Sequence, residues 1–421
     1  MYDIIVVGAG VAGANFAFKI SAHAKTLLVE AQDYKNAIPE RTNIFSEHNR
    51  PFVAERDWAN KTLFPDTHVK TNYMSDDENG IINSKEFGIP LGNICYTENL
   101  LKYFIEEFEK QGGLSKFNEK IVKINKYRDH LEVITQKGES YSTRLLVLAT
   151  GSRGLEIQRS LGFEKPDQYK GICMHLYGDE DLIKDNIDCQ YVFHVNPNIS
   201  TNGPFFINRG VDRIFVGFLG QVRENPSELK SKLDRILQNY KRIQPFVQGL
   251  KKGSEVVVGE ISKHPINSFS NDRVLLLGEC AGLVTSFFYE GIMCGLASAE
   301  IAAKTVKPLL TKESNFGKTE LIKYDQEIHR ILLKNYFRNG NACEYLFYNE
   351  GSYVRSLWNT YCNLLNTDKT ARKYIWDAYI NQDLSNHDIN KDRYVGEKLF
   401  GTLPALSKIT LGAKFFKAML M

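Results

Sequence analysis

The chain opens on a short apolar run, residues 3–7, whose β-branched members suit a strand buried on both faces of a parallel sheet. Glycines follow at 8, 10 and 13. A helix-compatible stretch over 13–24 and an apolar run over 26–29, ending at Glu30, complete the pattern of a βαβ unit. Past an irregular stretch containing Asn and Pro, residues 97–111 have helical periodicity, and Gly112-Gly113 stops it. Strand patterns recur at 120–124, 131–135 and 144–149. Between about 165 and 265 the character changes: short strands at 172–177, 190–195, 204–208 and 213–218 predict an antiparallel sheet in a second domain. Asn225-Pro226-Ser227-Glu228 opens a helix whose apolar residues Leu229, Leu233, Ile236, Tyr240 and Ile243 recur at three- and four-residue steps, so one face packs on that sheet. A strand at 273–277 and a helix at about 291–306 return the chain to its first domain. Residues 311–421 read as a helical extension.

The glycine spacing gains its meaning from this frame. A lone G-x-G-x-x-G is weak, but Gly8-x-Gly10-x-x-Gly13 follows a strand, opens a helix and has an acid, Glu30, about twenty residues on. Glycines permit a tight turn and close approach of the backbone to a diphosphate. The free N–H groups of the helix start, at Val11 and Ala12, face that diphosphate, and Glu30 accepts hydrogen bonds from ribose hydroxyls. Two more stretches follow. Leu146-Val147-Leu148-Ala149-Thr150-Gly151 is a buried strand ending in a small-residue turn. Arg273-Val274-Leu275-Leu276-Leu277-Gly278-Glu279-Cys280-Ala281-Gly282 precedes Glu290-Gly291-Ile292 and a helix of small residues. The last two resemble stretches of two-dinucleotide-type flavoproteins, and that resemblance, with all three in this order, implies FAD rather than NAD as the resident cofactor.

Composition narrows the class further. With 53 basic and 50 acidic side chains, net +3, the chain lacks the field that nucleic-acid binding requires, so no nucleic-acid partner is expected. The seven cysteines are scattered, with no C-x-x-C pair, so no metal site is expected and the thiols fit a cytoplasmic location. No run reaches the roughly 18 to 20 apolar residues of a membrane span.

The motifs resemble those of the geranylgeranyl reductase family, within the p-hydroxybenzoate-hydroxylase-like flavoprotein fold. The likeness runs through the glycine loop, Ala149-Thr150-Gly151, Gly278 to Gly282, Glu290-Gly291-Ile292 and Ser298-Ala299-Glu300-Ile301-Ala302-Ala303, and covers roughly 1–310. It is nearest to archaeal-type enzymes that reduce the isoprenoid chains of membrane lipids. It implies an α/β fold: a Rossmann-type FAD-binding domain (1–75, 96–160 and 265–310) with an inserted antiparallel-sheet substrate domain (76–95 and 161–264) and a helical C-terminal region (311–421). It implies FAD held by Gly8, Gly10, Val11, Ala12, Gly13, Glu30, Thr150, Gly151, Gly278, Glu279, Gly282, Gly291 and Ile292, with Arg41 a candidate diphosphate cation. Glu279 stands where the family has Asp, so its longer carboxylate must retract or the ribityl chain must shift. The stretch 38–45 has no cysteine where some relatives carry Cys-Gly, and Thr97-Glu98 replaces a helix start that often bears an FAD-contacting Arg.

The implied reaction saturates an isolated alkene: a hydride goes to one carbon and an acid protonates the other, in a long, dry, apolar site. Phe287 and Phe288 are candidate walls of the isoprenoid channel. Tyr289 is the candidate proton donor, with His264 and Cys294 behind it. The implied partners are an isoprenoid lipid and an external electron donor: ferredoxin, a deazaflavin or NAD(P)H. A monooxygenase of the same fold is the rival reading, although Thr150-Gly151-Ser152-Arg153 lacks the Asp-Gly pair usual in hydroxylases; a non-catalytic flavin-bearing lipid-binding protein is a third. In the tail, Leu406, Ile409, Ala413, Phe416 and Leu420 form one helical stripe flanked by Lys408, Lys414 and Lys417. That stripe suits peripheral contact with the inner face of the cell membrane, or closure of the protein's own core.

Overall fold

In the computed structural model, which describes residues 1–220, 224–311 and 314–421, the opening apolar run forms the strand Tyr2–Val7 inside an eight-stranded sheet. It pairs in parallel with Thr26–Val29 and Ser140–Leu148, so that Ile5 faces Leu27 on one side and Leu146 on the other. Val274–Leu276 and Leu114–Lys116 extend the parallel set outward, and the hairpin Ile121–Lys126/Leu131–Thr135 adds an antiparallel margin. Ile4, Ile5 and Val6 are wholly buried, as a strand covered on both faces requires. The helices Val11–Ser21, Thr97–Lys110 and Gly291–Val306 pack against one another over this sheet.

The second sheet has seven strands in the order Lys251–Lys263, Asp167–Tyr177, Arg213–Gly220, Phe205–Arg209, Gln190–His194, Lys70–Met74, Asn79–Asn83. Every pairing is antiparallel except Gln190–His194 with Lys70–Met74. Two departures from the expected pattern have physical causes. Lys70–Met74, ahead of the expected boundary at 75, pairs into this sheet. Lys251–Lys263, unforeseen as a strand, is an edge paired on one side only and half exposed, so it needs no regular apolar alternation. The stretch 31–96, expected to be irregular, also yields a small sheet of Thr42–Ser46, Gly92–Tyr96 and Thr67–His68. Its Thr42 carbonyl accepts a hydrogen bond from Asn208 of the second sheet.

Asn225 caps the helix Pro226–Asn239 by accepting the Ser227 N–H, and Leu229, Leu233 and Ile236 turn inward. Tyr240 and Ile243 fall beyond its end. The C-terminal region is helical, as expected. Lys318–Ile328 continues through a π-wound segment, His329–Phe337, into Arg338–Phe347. Tyr353–Thr367, Lys369–Ile380, Ile389–Thr402 and Ala405–Leu420 follow. Its core is not separate: buried Trp358 and Trp376 share one apolar cluster with Tyr73 and Phe193 of the second sheet and with Phe287.

Candidate functional site

The three motif stretches converge at the C-terminal ends of the parallel strands. Gly8, at φ +103°, turns the chain into the first helix; a Cβ there would stand 2.2 Å from the Ala149 carbonyl oxygen, and one on Gly13 would stand 1.9 Å from the Gly8 oxygen. These approaches bring the first stretch onto the second. A Cβ on Gly278 would lie 3.1 Å from that of Ala12, and one on Gly151 would lie 3.6 Å from a Glu279 carboxylate oxygen, which brings in the third. Gly10 is different: nothing lies within 4 Å of its Cβ position. That open space at the helix head, among unpaired first-turn N–H groups, fits a diphosphate. Gly282, with φ +73°, ends the short turn after Gly278, and a Cβ there would strike the His264 carbonyl at 2.5 Å.

Glu30 is buried and already positioned, its carboxylate accepting the Ala9 and Gln32 N–H groups at 2.8 Å each. Arg41 donates to the Glu40 carbonyl at 2.6 Å and lies over the Phe215 ring at 5.8 Å. Arg153 is a second cation here that the sequence reading passed over, although it stands two residues past Gly151. Burial and the Glu30 charge drive the Tyr34 phenol far up, against the opposing charges of Arg41 and Arg153. The Glu279 carboxylate accepts the Ser262 N–H at 3.0 Å. Burial raises its pKa to about 7, against the opposing pull of that N–H and of Arg153.

Between the second sheet and the head of the helix Gly291–Val306 lies a cavity of about 210 Å³, walled by Asn43 and Asn49 on one side, Phe215 on another, and Tyr289, Gly291 and Ile292 at the helix head. Asn49 Oδ1 is buried there without a partner among the described residues, an acceptor facing a site that suits a ring N–H. The helix head favours negative charge, as on a reduced flavin. The residues present therefore fit FAD along its whole length, from Glu30 to Ile292.

A second cavity of about 170 Å³ lies beneath the C-terminal helices, walled largely by apolar side chains such as Phe347, Leu399 and Phe415. Phe288, Glu290 and Tyr379 line both cavities and form the partition between them. Phe287 lines only the second, stacked on Tyr348 and close to Phe193 and Trp358.

Tyr289 is not placed as a free acid. Its ring lines the flavin-side cavity, but its hydroxyl donates to the Asn202 carbonyl and accepts from Lys263 at 3.0 Å. It holds a left-handed φ of +58°, a strained conformation for a bulky residue that these anchors pay for. Lys263, wholly buried, is paired with Glu344 and lies over the Tyr169 ring at 4.0 Å; burial still lowers its pKa. His264 is bound between Glu344 at 2.8 Å and Asp167 at 2.7 Å, outside the cavity walls. Burial opposes its charge, but the two carboxylates outweigh burial and raise its pKa. The Cys294 thiol is fully buried and pushed well up by desolvation, the state of an inert cysteine. Glu290, His48 and Tyr336 were missed as site residues. They meet only in three dimensions, and the one signal was the position of Glu290 ahead of Gly291.

The described residues contain no cluster able to hold a metal ion and no helix long and apolar enough to cross a membrane. No protein-family model matches the chain. It is 23% identical over 358 residues to the digeranylgeranylglycerophospholipid reductase of Methanococcus vannielii, covering 79% of this chain and 84% of that protein. It is also 23% identical over 356 residues to protein FixC of Escherichia coli O157:H7, covering 78% and 81%. Among solved structures, a geranylgeranyl bacteriochlorophyll reductase-like protein of Thermoplasma acidophilum superposes with a TM-score of 0.70 at 16% identity, over 95% of this chain and 97% of that one. The halogenase PltM in complex with phloroglucinol and FAD also reaches 0.70, at 12% identity over 99% and 96%. The p-nitrophenol 4-monooxygenase PnpA of Pseudomonas putida reaches 0.69, at 12% identity over 92% and 99%. The chain thus has the fold of the FAD-dependent oxidoreductases and is similar, in sequence and in fold, to the geranylgeranyl reductases among them.

Proposed function

We propose that this protein is an FAD-dependent reductase that saturates C=C bonds in the geranylgeranyl chains of membrane lipids or their precursors. The observation that carries this reading is the apolar cavity beneath the C-terminal helices, which meets the flavin-side cavity at Phe288, Glu290 and Tyr379. A long hydrocarbon chain fits such a pair of chambers, with one segment at the flavin and the rest shielded from water. A small polar aromatic would not need the second chamber.

FAD, when bound, would supply the hydride; the Gly8–Gly13 loop and Glu30 would hold its adenosine end, Gly151, Gly278 and Glu279 its ribityl region, and Gly291 and Ile292 its ring. The surrounding residues position the alkene and exclude water, since a trisubstituted alkene accepts hydride poorly unless a proton arrives in step. Electrons enter from an external donor, and rapid-mixing reduction by ferredoxin, deazaflavin and NAD(P)H in turn identifies which.

The membrane face of this proposal rests on the last helix. Leu406, Ile409, Phe416 and Leu420 are 78%, 80%, 62% and 65% exposed, while Leu411, Phe415 and Ala418 on another face pack inward. The stripe therefore does not close the core. It is an apolar face next to the chamber that Phe415 and Ala418 help to line, suited to dip into a lipid surface and admit the chain.

The test is mass spectrometry of lipids from cells making the protein together with geranylgeranyl ether lipids. Gains of two mass units per bond are expected; gains of sixteen would replace the reductase with a monooxygenase.

A further inference from the structure

An alkene reductase must deliver a proton to carbon inside a dry site, and Tyr289 has its hydroxyl committed to Asn202. The partition between the two cavities holds a different arrangement. Glu290 lines both chambers, keeping 21% of its side chain accessible, and accepts a hydrogen bond from the Tyr336 hydroxyl on its Oε2. His48, 1% exposed, places Nε2 at 3.5 Å from Glu290 Oε1 and 3.0 Å from Ser46 Oγ. Its Nδ1 lies 3.4 Å from the Ala378 carbonyl oxygen.

A carbonyl only accepts, so Nδ1 carries a hydrogen, and Nε2 is the nitrogen left to exchange a proton with Glu290. A lone carboxylate in this largely apolar wall would be costly, which favours a proton held between the two groups. Tyr336 stands in the π-wound segment, a local departure from the α-helix often found at functional sites. Its ring meets that of His387 edge-on at 5.6 Å, and His387, bound to Asp392 at 2.7 Å, lines a surface depression of about 490 Å³ on the far side.

Resting on the reductase reading, we propose that the His48–Glu290 pair supplies the proton of alkene reduction, Glu290 presenting it to the chain and Tyr336 holding the carboxylate in place. For each bond saturated, the hydride forms one C–H bond using the electron pair drawn from reduced FAD. The pair's proton forms the other, taking the alkene's π electrons. The pair is left one proton short and regains it from water on the His387 side.

The test uses the FAD-loaded protein, reduced beforehand with dithionite and mixed with a geranylgeranyl lipid. Glu290→Gln and His48→Gln are expected to slow flavin re-oxidation by about 100-fold or more, the usual scale of a lost proton donor, with FAD affinity unchanged and Glu290→Asp partly active. Independently of turnover, nitrogen-15 NMR of labelled histidine should show the His48 Nε2 resonance displaced in Glu290→Gln while Nδ1, held at the Ala378 carbonyl, stays in place. Equal re-oxidation rates in wild type and both Gln variants, or a His48 Nε2 resonance indifferent to Glu290→Gln, would overturn the pair. A wild type that leaves every isoprenoid unreduced overturns the reductase reading itself, and the pair's catalytic role with it.

Discussion

Gly10 and Gly13 look equivalent in the motif and are opposite in the structure. Gly13 has backbone within 1.9 Å of a Cβ and cannot accept one without moving the loop, while Gly10 faces open space. Gly10→Ala is therefore expected to leave thermal stability of the apoprotein within about 0.5 kcal/mol while weakening FAD binding, and Gly13→Ala to lose both. Calorimetry and flavin-fluorescence titration separate the two effects. Glu279 gives a second prediction. Burial lifts its folded pKa from 4.5 to about 7, so the folded state holds the proton more tightly than the unfolded chain does. Its contribution is most favourable below pH 4.5 and is lost as pH rises through 7. Apoprotein carrying Glu279→Gln should match wild type near pH 5 and exceed it at pH 8, by on the order of 2 kcal/mol; a gap that does not widen with pH would refute the buried-carboxylate account. The Rossmann residues were legible because each obeys a local rule of turn or strand end. Glu290, His48 and Tyr336 obey none, lying 46 residues or more from each partner.

Elements show the same division. The central parallel strands announced themselves because burial on both faces demands continuous apolar runs, and Asn225 announced its helix through capping chemistry. Lys251–Lys263 stayed hidden because an edge strand pairs through its backbone on one side and leaves its side chains to solvent. The last helix was legible as amphipathic, but its periodicity could not say which face is covered. The structure leaves the Leu406, Ile409, Phe416, Leu420 face bare and buries Leu411 and Phe415. Changing those four exposed residues to Ser should abolish co-sedimentation with anionic liposomes at an unchanged melting temperature. Retained binding would remove the membrane role, whereas a large drop in melting temperature would mean the face is covered in the folded protein.

At the scale of the molecule, the proposed reaction would use two chambers that share Phe288, Glu290 and Tyr379. Gly396, in the helix Ile389–Thr402, lines the apolar chamber and has nothing within 4 Å of its Cβ position. Gly396→Phe would start its side chain in that open space and project bulk at the chamber wall. It is expected to keep FAD and fold, yet to lose activity on twenty-carbon chains at least tenfold more than on five- or ten-carbon analogues; equal losses would show that the chain does not occupy this chamber. The sequence by itself determined the nucleotide-binding half: the βαβ start, the glycine loop, the acid at its second strand and the return of the chain at Gly278. Each is a local answer to backbone geometry or to the burial of one strand. Tertiary structure alone decided the reacting half. Only packing of the C-terminal helices around the loop 285–290 creates the apolar chamber, and there Glu290, His48 and Tyr336 meet. A cavity wall needs groups converging from distant segments, and periodicity along one chain carries no information about that convergence.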